Sequence, residues 1–165
     1  MPQTHITLTG SVHTWKAPDS SSYYVTGTDI ADMITSAGGD DILDGGAGDD
    51  VLISGDGEDI VYGGDGNDTI EVGDKGIYND TGDATVYGGQ GDDNITSHAD
   101  TALIYGGIGN DHIRIDGPNG TAYGEDGDDI LSIESDAKVW GGNGNDQFFL
   151  TEGVIDVDIT AYGDA

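Results

Sequence analysis

The chain has 165 residues, 30 of them Gly, no Cys, and 33 acidic against 4 basic residues, for a formal charge of −29. Gly at more than twice its usual share of roughly 7%, spread along the whole chain, excludes long helices, because each interior Gly costs a helix about 1 kcal/mol. Nucleic acid and anionic membrane surfaces are excluded as partners, since the basic residues are only Lys16, Lys75, Arg114 and Lys138, and no apolar run is long enough to span a bilayer.

A compact state at −29 repels itself, and such a composition also suits an acidic disordered segment. Against disorder stands the fixed spacing of Ile, Val, Leu and Tyr. The alternative is a folded state neutralised by cations, with no disulfide to staple it. Residues 1–26 open with Met1, Pro2, Gln3, Thr4 and His5, which lack the basic and apolar regions of a cleaved signal peptide. Taken alone, that start reads as cytoplasmic. The same segment carries Ile6, Leu8, Val12 and Trp15, suited to capping the end of a repeat array.

A nine-residue unit runs from 27 to 149. It reads GGDGNDTIE from Gly63, GGQGDDNIT from Gly88, GGIGNDHIR from Gly106 and GGNGNDQFF from Gly141. Units start at 27, 36, 45, 54 and 63 and, after an insertion at 72–78, at 79, 88, 97, 106, 115 and 124. A shortened unit fills 133–140 and the last begins at 141. Six turn residues followed by a short strand, with one side chain pointing in and two out, predict an all-β, right-handed parallel β-solenoid with two units per coil. Position eight then supplies the core: Ile34, Leu52, Ile70, Ile95, Ile113, Leu131 and Phe148 on one sheet, Leu43, Val61, Val86, Ile104, Ala122 and Val139 on the other. That core is thin against the ordering entropy of so many Gly. Residues 150–165, with Val154, Ile155, Val157 and Ile159, read as a C-terminal cap.

The GGxGxD unit followed by an apolar residue resembles the repeats-in-toxin (RTX) family of type I-secreted bacterial proteins. The resemblance implies a β-roll with Ca²⁺ in its turns, bound by main-chain carbonyls and by the position-six Asp of turns two units apart. It also implies export to the outside of the cell, with 150–165 as the start of a secretion region. The metal set it implies comprises Asp32; Asp41; Gly45, Gly46, Gly48 and Asp50; Gly57 and Asp59; Gly63, Gly64, Gly66 and Asp68; Gly88, Gly89, Gly91 and Asp93; Gly106, Gly107, Gly109 and Asp111; Gly124, Gly127 and Asp129; and Gly141, Gly142, Gly144 and Asp146.

The residue types suit that role independently. Ca²⁺ takes about six to eight oxygen ligands in flexible geometry; Gly lets carbonyls converge and Asp adds charge at short reach. No window fits the EF-hand, and the acidic loops lack the Lys of a phosphate-binding loop. One edge keeps its position-six Asp from 45 onward, whereas on the other Asp41 and Asp59 give way to Ala84, Ala102, Gly120 and Ala137. The roll therefore reads as one-railed beyond the insertion, with five inter-turn sites on the rail. The turn at 27 and the 36/54 pair bring the count to seven, which would lower −29 to about −15.

Position nine reads Tyr62, Tyr87, Tyr105, Tyr123 and Trp140, rings expected about 4.8 Å apart. They suit either a platform for a glycan or protein partner or, the preferred reading, cross-strand stacking. His5, His13, His98 and His112 have no zinc spacing, and the paired carboxylates recur at every turn, which fits ligation better than glycosidase chemistry. The reading is a non-catalytic, calcium-folded extracellular module with a structural or adhesive role. Alternatives are the appendage of a secreted protease, lipase or epimerase, and an ice-binding solenoid, which the lack of a Thr row at position three disfavours.

Overall fold

A computed structural model describes residues 4–10, 13–74 and 82–151 and the backbone of the strand at 157–160. Every named element is a strand. One sheet has nine: β1 (Thr4–Thr7), β3 (Tyr23–Thr28), β5 (Ile42–Ala47), β7 (Asp59–Asp65), β9 (Asp83–Gln90), β11 (Thr101–Ile108), β13 (Gly120–Asp126), β15 (Ala137–Asn143) and β17 (Val157–Thr160). The other has eight: β2 (Thr14–Lys16), β4 (Met33–Thr35), β6 (Val51–Ile53), β8 (Thr69–Val72), β10 (Asn94–Ser97), β12 (His112–Ile115), β14 (Ile130–Ile133) and β16 (Gln147–Leu150). Each strand pairs in parallel with the strand two places away, so the chain winds through about eight coils as a β-solenoid.

Register records every irregularity of the repeat. Ile42 faces Ile60, eighteen residues on. Ile70 faces Ile95, twenty-five on, so seven extra residues fall between β8 and β9 while both ladders keep their register. Leu131 faces Phe148, seventeen on, because the unit at 133–140 is one residue short. The N-terminal segment adds a coil of its own, with β1 on β3 and β2 on β4. Leu8 is buried there, and Ile6 and Trp15 pack on the core. Val12, Val154, Ile155, the chain end and most of the insertion lie outside the described residues, as do the side chains of Val157 and Ile159.

Position eight fills the interior as the repeat predicts: from Ile34 to Val139 every such residue is buried. Phe148 is the exception, only partly buried, because β16 ends its sheet and has a neighbour on one side. The core is also thicker than one side chain per unit. From β8 on, strands of the eight-stranded sheet have four residues where β2, β4 and β6 have three, so alternation turns a second side chain inward: Val72, Ile115 and Ile133 are buried, as are Ala84, Ala102 and Ala137 of the other sheet.

Candidate metal centre

The turns at 45, 63, 88, 106 and 124 share one geometry. Each crosses from the nine-stranded to the eight-stranded sheet, and its position-six Asp is buried at the edge of the core: Asp50, Asp68, Asp93, Asp111 and Asp129 are at most 2% exposed. One carboxylate oxygen is spoken for. Asp68 Oδ1 accepts the N–H of Asp50 at 2.8 Å, Asp93 Oδ1 that of Asp68 at 2.8 Å, Asp111 Oδ1 that of Asp93 at 2.9 Å, and Asp129 Oδ1 that of Asp111 at 2.8 Å. The other oxygen, Oδ2, has no hydrogen-bond partner in any of the five, although it is buried.

Each Oδ2 points at the first Gly of its own turn. A Cβ on Gly45, Gly63, Gly88, Gly106 or Gly124 would run into that oxygen and into the main-chain carbonyl of the first Gly one coil on. The missing side chain leaves a cradle between a carboxylate and a carbonyl. The second and fourth Gly supply the curl: Gly64 and Gly66 have φ of 119° and 137°, open to Gly at little cost. In the turn at 124, Glu125 takes the second place at φ 80°, a strained conformation for a residue with a side chain.

A buried carboxylate oxygen without a donor is costly as an anion, and that cost favours the protonated carboxyl. Burial pushes the Asp50, Asp93 and Asp129 carboxyls up to about 7 and those of Asp68 and Asp111 to about 6. Neighbouring carboxylates raise them further; for Asp50 these are Asp68, Asp32 and Asp49. All-oxygen donors, one negative charge per turn and converging carbonyls are what a hard divalent cation takes. Among the described residues no three His, Asp or Glu side chains gather into a side-chain-only metal site, so these cradles depend on the main chain.

The remaining predicted residues lie in other surroundings. Asp146 Oδ1 accepts from Asp129 N–H at 3.1 Å in the last turn of the rail. Asp32 Oδ2 receives the Thr28 N–H at 2.6 Å. On the second edge, Asp41 accepts the Tyr23 N–H at 2.7 Å, and its Oδ2 is held by the Ser36 hydroxyl. Asp59 Oδ1 accepts the Asp41 N–H at 2.9 Å. Past the insertion the lapsed Asp positions of that edge hold Ala84, Ala102, Gly120 and Ala137, and Val72, Ile115 and Ile133 add apolar side chains to the core there; Ile115 fills the space at Gly120. Sequence reading missed Ser36 and Thr28 as closers of acidic turns, since each resembles an ordinary turn residue.

A second, exposed ladder runs beside the rail at position five: Asp49, Asn67, Asp92, Asn110, Asp128 and Asn145. Each side chain accepts the N–H of the next, at 2.7–2.9 Å. Its strict Asp/Asn alternation was readable in the sequence. The position-nine rings stack outside the nine-stranded sheet with centroids 5.2, 5.2, 5.2 and 4.7 Å apart and planes within 11° of parallel.

These features define a parallel β-solenoid whose Gly–Asp turns form a row of oxygen cradles for divalent cations. The sequence pattern of the RTX calcium-binding nonapeptide repeat matches residues 35–70, 78–113 and 138–154, a little over half of the chain. The chain belongs to that family. Its β-roll is a calcium-binding structural module and not catalytic by itself. No curated protein and no solved structure matches the chain. Among the described residues no helix is long and apolar enough to cross a membrane.

Proposed function

We propose that the chain is an extracellular module of a secreted bacterial protein, folded by calcium after export and serving a structural or adhesive role. The observation that carries this is the rail itself. Five buried carboxylate oxygens without donors, in a chain of charge −29, leave the metal-free roll poorly compensated. Gly45, Gly63, Gly88, Gly106, Gly124 and Gly141 would offer carbonyls, and Asp50, Asp68, Asp93, Asp111, Asp129 and Asp146 carboxylates. Bound calcium supplies the positive charge that these oxygens lack, so binding energy becomes folding energy. Extracellular modules of this kind work at about 10⁻⁴–10⁻³ M Ca²⁺, which suits a chain that stays loose in low-calcium cytosol.

Circular dichroism tests the reading directly. In excess chelator the chain should be largely disordered, and millimolar Ca²⁺ should convert it to β-structure. A chelated chain already fully β-rich would overturn calcium-driven folding.

A further inference from the structure

We infer that the calcium row of this chain begins at Asp50, follows one edge only and comprises five sites, because the turns at 27 and 36 are closed by the protein's own donors and the turn at 54 carries a serine where the rail has the glycine of its cradle. The inference rests on the calcium reading above and concerns which of the acidic turns use it.

The turn at 27 has the same Gly and Asp as the rail, and a Cβ on Gly27 would meet Asp32 Oδ2 and the Gly45 carbonyl as elsewhere. What differs is the next residue. The rail turns carry Gly there, or Glu125; here it is Thr28, whose N–H and hydroxyl lie 2.6 and 2.9 Å from Asp32 Oδ2. Oδ1 of the same carboxylate, which on the rail takes a backbone N–H from the preceding coil, faces His13 Nδ1 at 3.2 Å. Asp32 is 3% exposed and both its oxygens are engaged. It ends the row as a hydrogen-bonded cap.

On the second edge the difference lies at position one. Ser36 stands where the rail has Gly, so a Cβ and hydroxyl occupy the space that the rail leaves as a cradle, and the hydroxyl holds Asp41 Oδ2. Ser54 sits at the same place one coil on, fully buried. Beyond the insertion, apolar side chains replace the acids. There a chain of side-chain contacts spans four successive coils: Glu71 to His98 at 3.6 Å and His98 to Asp116 at 3.1 Å, ionic only when the imidazole is protonated, then the ion pairs of Arg114 with Asp116 at 2.7 Å and with Glu134 at 2.8 Å. From Glu71 to Glu134 the second edge is thus joined by side chains.

The test is the calcium stoichiometry of the full chain, by native mass spectrometry and by titration calorimetry, after circular dichroism has shown each variant folded in calcium. The unmodified chain should bind five ions. Asp32→Asn and Asp41→Asn should still bind five, with midpoints within about twofold of the parent, whereas Asp50→Asn should lose one ion or shift the midpoint at least about tenfold. Six or seven ions, or loss of an ion in either of the first two variants, overturns the inference and leaves the calcium reading standing. No bound calcium in the unmodified chain overturns the reading itself. The parent count decides even where a variant fails to fold.

Discussion

Each rail aspartate uses its two oxygens differently, and the difference makes its removal informative. Asp111 Oδ1 satisfies the buried N–H of Asp93, while Oδ2 faces the Gly106 cradle. Asp111→Ala leaves that N–H without a partner, at about 1–3 kcal/mol, and removes a ligand from the middle of the row. The Ca²⁺ midpoint of folding should rise about tenfold or more. Asp100, in a second-edge turn whose position six is Ala102, is the matched control: Asp100→Ala removes the same charge and should leave the midpoint almost unchanged. Equal midpoints would mean that relief of repulsion, and not ligation, governs both. Gly106→Ala probes the cradle from the other side. Its backbone is not in the left-handed region, so the methyl group adds no backbone strain there; it meets Asp111 Oδ2 and the Gly124 carbonyl. That variant should lose one bound ion by native mass spectrometry while the neighbouring sites fill.

Among the elements, the two outer ladders bring like groups close together and handle the proximity in opposite ways. Along position five, Asp and Asn alternate, which places successive carboxylates two coils, or about 9.6 Å, apart, close to the screening length of roughly 8 Å at physiological salt. Along position nine the rings are alike and attract. Tyr87, Tyr105 and Tyr123 each have a ring against both faces, so they have no open face to offer a sugar. This supports a structural role for the column. Tyr105→Thr should lower stability by about 0.5–1.5 kcal/mol, the usual worth of an aromatic pair, read as a small drop in thermal midpoint at saturating Ca²⁺. If a glycan screen finds a ligand, that variant should still bind it; loss of binding with the fold intact would assign the column a recognition role.

For the molecule as a whole, the rail makes stability depend on pH in opposite directions with and without metal. The five carboxyls titrate near 6–7 in the metal-free fold and near 3.8 in the unfolded chain. Between about pH 4 and 7 the folded state therefore binds more protons, and metal-free stability rises as pH falls through that window. Calcium needs the same carboxyls ionised, so its midpoint should climb as pH drops below about 7. Chelated protein should gain β-structure between pH 8 and pH 5, while the calcium titration at pH 5 should lie well to the right of that at pH 8. A midpoint independent of pH would show that these carboxyls are not the ligands.

How much of this was legible without coordinates follows from distance along the chain. A nine-residue unit repeats its own instructions, so the period, the inward position eight, the seven-residue insertion and the Asp row from 50 to 146 could all be read locally. The parallel two-sheet winding followed, because a strand that buries one side chain needs a neighbour of the same kind on each side. What only the tertiary structure decided are contacts between residues about eighteen places apart or hidden in an ordinary turn: His13 against Asp32, the side-chain contacts from Glu71 to Glu134, and Thr28 and Ser36 turned onto carboxylates. Inward rotation of Val72, Ile115 and Ile133 belongs to the same class, since one extra strand residue sets it. An aspartate looks the same in sequence whether its free oxygen waits for a cation or already holds a hydroxyl; the side chain that fills or leaves the space beside it makes the difference.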